Sequence, residues 1–164
     1  MIRVVLTVLV AVLLAGCGER SKFLTYDGPE VTRFLVWKEA RQMQLLHHDR
    51  VLMQVPISLG FAPNGHKLRR GDGRTPEGDY VIDRRNPNSA FHLSLGISYP
   101  DMNDRLVARE AGDDPGGDIF IHGKGPRFAN ARGDWTAGCI AVTDRQMEQI
   151  YAMVRTATPI TIFP

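Results

Sequence analysis

The sequence predicts a mostly β protein. Short runs rich in β-branched and aromatic residues recur along the chain, and polar turn segments separate them. The 16 glycines and 10 prolines suit the many turns that such a fold needs. One segment alone, near the C-terminus, has the apolar spacing typical of an amphipathic helix. The length of 164 residues fits about one domain.

The first half of this domain is predicted to be three strands followed by a loop. Residues 32–38 form an apolar run with aromatic and β-branched side chains, which is typical of a strand. Residues 42–47 are its predicted hairpin partner, with residues 39–41 as the turn. The next predicted strand is 51–59, and residues 60–73 form a loop rich in Gly, Lys and Arg.

The middle of the chain is punctuated by turns. Pro76 fixes one φ angle and Gly78 permits a positive one, so Thr75-Pro76-Glu77-Gly78 specifies a turn that leads into a strand at 80–82. The alternation in residues 91–95 predicts another strand. Residues 99–117 are predicted to be a long polar excursion without regular structure.

The C-terminal third contains a short central strand, the one predicted helix and a last strand. Residues 119–121 are a short apolar run that ends at His122. Thr143 and Gln146 fit a capping box, in which each side chain bonds the other residue's backbone N–H. Residues 160–163 follow Pro159 as a strand. The helix is supported by apolar residues at i, i+3, i+4 and i+7, namely Met147, Ile150, Tyr151 and Val154.

The N-terminus has the layout of a secretory signal. An apolar run over residues 4–15 follows a short positive start, and it is too short for a comfortable membrane span. Leu14-Ala15-Gly16-Cys17 resembles a bacterial lipobox, in which the cysteine is lipidated. We therefore expect a signal peptide at 1–16, a lipidated N-terminus and tether at 17–30, and one folded domain at 31–164. The alternative is an ordinary signal peptide with a chance Cys17.

Charge and histidine spacing argue against several classes of function. The net charge is +2 and no run of Lys and Arg occurs, so we expect no nucleic-acid partner. His47, His48 and His66 match no standard metal spacing, and adjacent side chains on a strand point to opposite faces. The sequence therefore predicts neither a metal nor a cofactor, and it leaves the oligomeric state open.

Two cysteines are present, and lipidation of Cys17 would leave Cys139 without a partner. A lone thiol in an oxidising compartment indicates a reactive nucleophile. The alternative is a buried, inert cysteine that packs as a small hydrophobe.

His122 and Cys139 together could support nucleophilic chemistry. A thiol attacks as thiolate and needs a base, an orienting group for that base, and donors for the developing oxyanion. His122 is the candidate base, and a carbonyl near Gly123 could orient its ring. Gly138 and Cys139 offer adjacent backbone N–H groups, and Gly138 lets a substrate approach closely.

His122-Gly123 followed by Thr136-Ala137-Gly138-Cys139 resembles the signature of the L,D-transpeptidase catalytic domain. Thr75-Pro76-Glu77-Gly78-Asp79-Tyr80 resembles the Thr-Pro-x-Gly-x-Tyr turn of that family. The resemblance implies a β-sandwich-like fold with one helix in its C-terminal region. It also implies that a peptidoglycan stem peptide acylates a cysteine and is passed to an amine of another stem.

By position, the resemblance makes Cys139 the nucleophile and His122 the base. Gly123 supplies the orienting carbonyl, and the N–H groups of Gly138 and Cys139 form the oxyanion hole. With the lipobox, it places the protein at the outer membrane facing the periplasm, because Gly18 stands where an Asp would favour inner-membrane retention.

Two positions depart from the family pattern. Ala137 replaces the usual His, and Ala141 stands where many members have an Arg. A substrate carboxylate would then be held differently, and Lys124, Arg127 and Arg132 are candidates. These changes leave two alternatives open: a thiol hydrolase of the same fold, and a wall-binding module without turnover.

Other candidates for substrate contact each have a second interpretation. Arg127 is a carboxylate clamp or a solvated loop charge. Trp135 lines the cleft or packs over the loop, and Thr136 contacts substrate or bonds within the loop. His92 faces the acceptor or packs on its strand.

Overall fold

A computed structural model describes residues 20–164, so the predicted signal peptide and Cys17 lie outside the described residues. Eight strands form one curled sheet, which confirms the mostly β prediction. Their order across the sheet is β3-β2-β1-β8-β4-β5-β6-β7. The strands are β1 Arg33–Trp37, β2 Gln42–His47, β3 Arg50–Pro56, β4 Gly78–Asn86, β5 Ser94–Ile97, β6 Phe120–His122, β7 Ile140–Ala141 and β8 Pro159–Phe163.

Strand β4 belongs to both halves of the sheet. Its first residues, from Gly78 to Val81, pair antiparallel with β8, and its later residues pair antiparallel with β5. The register shifts between Ile82 and Arg84, where the strand passes from one partner to the other. Irregularities of this kind bend a strand and increase its twist. The two halves consequently share one apolar core, which includes Phe34, Leu45, Leu95, Ile121 and Met147.

The predicted C-terminal helix is present as α2, Asp144–Met153. Thr143 caps it, and Gln146 completes the predicted capping box. Met147 and Ile150 are fully buried, because the i, i+3 spacing places both on the face that meets the sheet.

A further helix, α1 at Met102–Glu110, lies inside the segment predicted to be a polar excursion. The prediction failed because the helix is mostly exposed: of its residues, only Asp104 and Ala108 are buried. The feature of the sequence that indicates this helix is its capping box. The Asp101 side chain accepts from the Asp104 backbone N–H, and the Asp104 side chain accepts from the Asp101 backbone N–H.

The strand predicted at 91–95 begins only at Ser94. His92 has φ 78°, in the left-handed region that a strand does not use. Phe91 and His92 thus belong to a turn, and that turn lies beside the candidate site. None of the helices in residues 20–164 is long and apolar enough to cross a membrane.

Candidate active site

His122 and Cys139 stand at neighbouring positions of the sheet because β6 and β7 are parallel neighbours. His122 is the last residue of β6, and Cys139 immediately precedes β7. Ile121 pairs with Ile140, and His122 pairs with Ala141. Ser58 bonds both backbone groups of Ala141, at 2.8 and 2.9 Å, which fixes the short strand β7 from its other side.

Both side chains border one cavity of about 330 Å³. A second cavity, of about 360 Å³, lies on the other side of Cys139 and includes Lys67 and Ala137 in its wall. Asp118 and Cys139 border both cavities. Cys139 therefore lies in the wall of both cavities. A larger cavity of about 430 Å³, between the N-terminal segment, β3 and α2, has neither His122 nor Cys139 in its wall.

The imidazole of His122 is held in one tautomer. Its Nδ1 lies 2.5 Å from the carbonyl oxygen of Gly123. A carbonyl oxygen only accepts, so Nδ1 carries the proton and Nε2 presents a free lone pair. This orientation leaves Nε2 able to take a proton, and the role of Gly123 as the orienting residue stays a prediction.

Aromatic side chains surround the same imidazole. The ring centroid of Phe91 lies 4.4 Å from that of His122, and the Trp135 centroid lies at 5.8 Å. Only 3% of His122 is exposed. Burial disfavours the charged form and lowers the pKa of His122, against smaller opposing effects of the Gly123 carbonyl and the Asp144 carboxylate. The imidazole of His122 is therefore neutral at neutral pH.

The backbone after His122 is fixed by α2 and by the turn at Phe91. The Asp144 side chain accepts from the N–H groups of Lys124 at 2.6 Å and Gly125 at 2.9 Å. A Cβ at Gly123 would lie 2.5 Å from Asp144 Oδ1 and 2.8 Å from the Phe91 carbonyl oxygen. Only glycine fits there, which keeps the orienting carbonyl close to the ring.

Cys139 is half-buried, and its thiol donates to the carbonyl oxygen of Asp118 at 3.5 Å. Burial raises the pKa of the Cys139 thiol to about 11. The backbone at Phe120 and the cations of Lys67 and Arg84 act in the opposite direction, while the Asp118 carboxylate adds to the rise. At neutral pH Cys139 is consequently a neutral thiol, and His122 is a neutral imidazole.

Thr136 shapes the loop that presents the thiol. Its hydroxyl donates to the carbonyl oxygen of Cys139 at 2.7 Å and accepts from the Gly138 N–H at 3.1 Å. Gly138 has φ 135°, which a residue with a side chain rarely adopts. Asp134 anchors the start of this loop, since it accepts from Arg41 and from the Leu59 N–H.

The turn at residues 74–78 and the Gly138-Cys139 dipeptide are far apart in sequence but pack against each other. A Cβ at Gly138 would lie 2.7 Å from the carbonyl oxygen of Arg74. Lys38, which no sequence motif marks, holds that turn. Its buried ammonium donates to the Gly65 and Thr75 carbonyls and to Glu77, at 2.6, 3.0 and 2.7 Å.

The remaining predicted substrate contacts are not in the walls of the two cavities beside Cys139. Arg127 is on a 3₁₀ turn, with its guanidinium 5.4 Å from the Phe128 ring centroid. Trp135 stacks on Phe128 at 4.8 Å. His92 contacts Glu148 at 3.0 Å. These three residues and Thr136 line neither cavity beside Cys139; their role in substrate binding stays a prediction.

Most residues in the two cavity walls were not predicted as site residues from the sequence, and four of them bear on the question of what the site binds. Ser94 is opposite His122 in the pairing of β5 with β6. The others are Phe91, Asp118 and Lys67. Strand pairing places Ser94 and loop packing places the other three, and no local motif marked them.

The YkuD family, whose model describes the L,D-transpeptidase catalytic domain, matches residues 32–162, and the chain belongs to this family. Escherichia coli K12 has a relative, YafK, whose name assigns it provisionally to the L,D-transpeptidases. The two are 28% identical over 128 residues, which is 76% of this chain and 44% of YafK. This chain therefore spans less than half the length of that relative.

Solved structures share the fold. The helical cell shape determining protein Pgp2 of Campylobacter jejuni has a TM-score of 0.66 and 24% identity, over 88% of this chain and 51% of Pgp2. An L,D-transpeptidase of Mycobacterium smegmatis has a TM-score of 0.55 and 16% identity, over 84% of this chain and 60% of its own.

Proposed function

We propose that this protein is a peptidoglycan L,D-transpeptidase that works through an acyl-enzyme on Cys139. The observation that carries the proposal is the position of Cys139 between two cavities, with His122 held in one tautomer in the wall of one of them. Acyl transfer needs a nucleophile, an oriented base and room for both a donor and an acceptor.

In the first step Nε2 of His122 takes the Sγ proton as the sulfur attacks a stem-peptide carbonyl carbon. The Gly138 N–H already donates to Thr136. Among the residues that the structure describes, no hydrogen bond uses the Cys139 N–H; this group can therefore stabilise the oxyanion without breaking a loop bond. The imidazolium then returns the proton to the leaving amine, and a thioester is left on Cys139.

In the second step a stem-peptide amine attacks the thioester. His122 accepts the proton of that amine, the new amide leaves, and the proton returns to sulfur. The neutral resting pair suits both steps, because a neutral imidazole accepts the proton that each attack releases.

Hydrolysis of the thioester is the second candidate. Ala137 lies in the wall of the cavity opposite His122, where the family usually has a larger, polar His. A smaller side chain leaves more space for water beside the thioester. Water attack would trim stems or release a wall-linked protein.

We also propose that Cys17 carries lipid and anchors the protein in the outer membrane, facing the periplasm. The lipobox-like sequence supports this proposal. Labelling with a fatty-acid probe, lost in Cys17→Ser, tests it. Labelling that persists in Cys17→Ser would contradict it.

Mass analysis of muropeptides separates the functions. Crosslinked or amino-acid-exchanged products indicate transfer, and loss of a terminal residue or linked peptide without exchange indicates hydrolysis. Cys139→Ser is the control for both. A carbapenem should add its mass to the Cys139 peptide. Unchanged muropeptides with no adduct on Cys139 would reject both enzyme functions and favour the wall-binding module.

A further inference from the structure

The N-terminal segment of the described chain, residues 20–23, lies against the loop at residues 87–92, here called the active-site loop. Lys22 is half-buried, and its ammonium donates to the carbonyl oxygens of Pro87 at 2.7 Å and His92 at 3.1 Å. These two carbonyls are the two ends of the loop. One side chain therefore joins them.

The active-site loop forms part of the catalytic cavity. Ser89, Ala90 and Phe91 border the same cavity as His122 and Cys139. The Phe91 ring covers the His122 imidazole at 4.4 Å. The loop backbone also packs on the residues after His122, since a Cβ at Gly125 would lie 2.9 Å from the Ala90 carbonyl oxygen. A shift of this loop therefore changes the surroundings of His122 directly.

The N-terminal segment also reaches the active-site loop through Glu148 of α2. The backbone of His92 is left-handed, with φ 78°, a conformation that is unfavourable for a residue with a side chain. Its Nε2 lies 3.0 Å from one carboxylate oxygen of Glu148. The other oxygen accepts from Arg20 at 3.3 Å. Arg20 and Lys22 thus reach the end of the loop by separate routes.

We propose that Lys22 is a positioning residue, which holds both ends of the active-site loop so that Phe91 stays packed on His122. The segment that follows the predicted lipid anchor then helps to fix the surroundings of His122, the proposed base. The effect on turnover rests on the proposed function, whereas the effect on His122 is measurable without turnover.

The test compares Lys22→Met with Lys22→Arg in the full chain. Methionine keeps the length of the side chain and donates no hydrogen bond, whereas a guanidinium can donate to both carbonyls. We expect Lys22→Met to uncover His122, so that its imidazole signal titrates closer to the ordinary value for histidine. The kcat should fall about 10-fold with KM nearly unchanged, as expected for a misplaced catalytic group. Lys22→Arg should restore both.

The His122 signal is assigned by its loss in His122→Gln, and Arg33→Met is the matched control. Arg33 forms an exposed ion pair with Asp49 at 3.7 Å, away from the site. If Lys22→Met fails to fold, Glu148→Gln weakens the same loop through His92 and should move the titration in the same direction. A wild-type titration of His122 in either folded variant overturns the proposal. Lack of turnover in the wild type would refute the proposed function and leave the titration test intact.

Discussion

The carbonyl oxygen of Arg74 occupies the space that a side chain at Gly138 would need, 2.7 Å from the position of a Cβ there. Arg74 opens the Thr-Pro turn, and Gly138 directly precedes the thiol. The same contact region includes Gly60, whose own Cβ would lie 3.0 Å from the Gly138 Cα. The two sequence motifs consequently form one packed unit, with Lys38 holding its far end through three hydrogen bonds.

Gly138→Ala should lower both stability and activity. The left-handed backbone alone costs about 1–3 kcal/mol for a residue with a side chain, and the Arg74 carbonyl adds a clash. Urea unfolding measures the loss. Gly133→Ala is the control, because Gly133 also has a positive φ, 63°, yet no heavy atom lies within 4 Å of its Cβ position. Equal losses in the two variants would contradict the packed unit.

Thr136→Val should destabilise the loop by about 1–3 kcal/mol, because it leaves the Gly138 N–H and the Cys139 carbonyl without their partner. The shape of the side chain is unchanged. Acylation of Cys139 by a carbapenem should slow in parallel. Thr136→Ser keeps the hydroxyl and should behave like the wild type. A wild-type rate in Thr136→Val would show that the hydroxyl does not position the thiol.

Alkaline pH should weaken the fold through Cys139. Its pKa is raised by burial to about 11 in the folded protein, against 9.0 for an ordinary thiol. The unfolded chain therefore loses this proton first, and the contribution of Cys139 to the free energy of unfolding declines between about pH 9 and 11. Chemical denaturation across that window measures it, with Cys139→Ala as the comparison. An identical pH slope in the two proteins would rule out a raised thiol pKa.

Turnover should persist into mildly acidic solution. Burial lowers the pKa of His122 below its ordinary 6.5, so the neutral base survives below that pH and the rate falls only as the pH passes the lowered pKa. The pH profile of kcat/KM on a muropeptide substrate measures this limb. A fall of kcat/KM with its midpoint above pH 6.5 would contradict the burial of His122 during turnover.

Removal of either reacting group should reduce activity at least ~10³-fold while the fold is kept. Cys139→Ser retains the size of the nucleophile, and His122→Gln retains a polar side chain of similar reach. Circular dichroism checks the fold, and muropeptide mass spectrometry checks the rate. Wild-type rates in either folded variant would refute the mechanism.

Sequence patterns predicted elements that have strong local signals. Strand β2 has the predicted bounds, and helix α2 begins directly after the predicted cap residue Thr143, because alternation and the Thr143–Gln146 cap are local properties. Helix α1 was missed since its buried side is confined to Asp104 and Ala108, too little to give a periodic apolar pattern. The strand predicted from Phe91 failed because a left-handed His92, held by Glu148, breaks the alternation.

The candidate site was only partly predictable, because some of its contacts are local in sequence and others depend on tertiary packing. The short distance between His122 Nδ1 and the Gly123 carbonyl follows from neighbouring residues, and the sequence indicated it. The walls formed by Lys67, Asp118 and Ser94 depend on loop packing and strand pairing across long stretches of chain. No local pattern carries that information.

Asp118, at the border of both cavities, has a consequence for inhibitor design. If Cys139 forms the proposed acyl-enzyme, a small electrophile that fills one cavity leaves the other free for water, and its adduct on Cys139 should be short-lived. A compound with two arms, one on each side of Asp118, would shut out water and amine together. Residence time on this protein should therefore depend more on the second arm than on the reactivity of the electrophile.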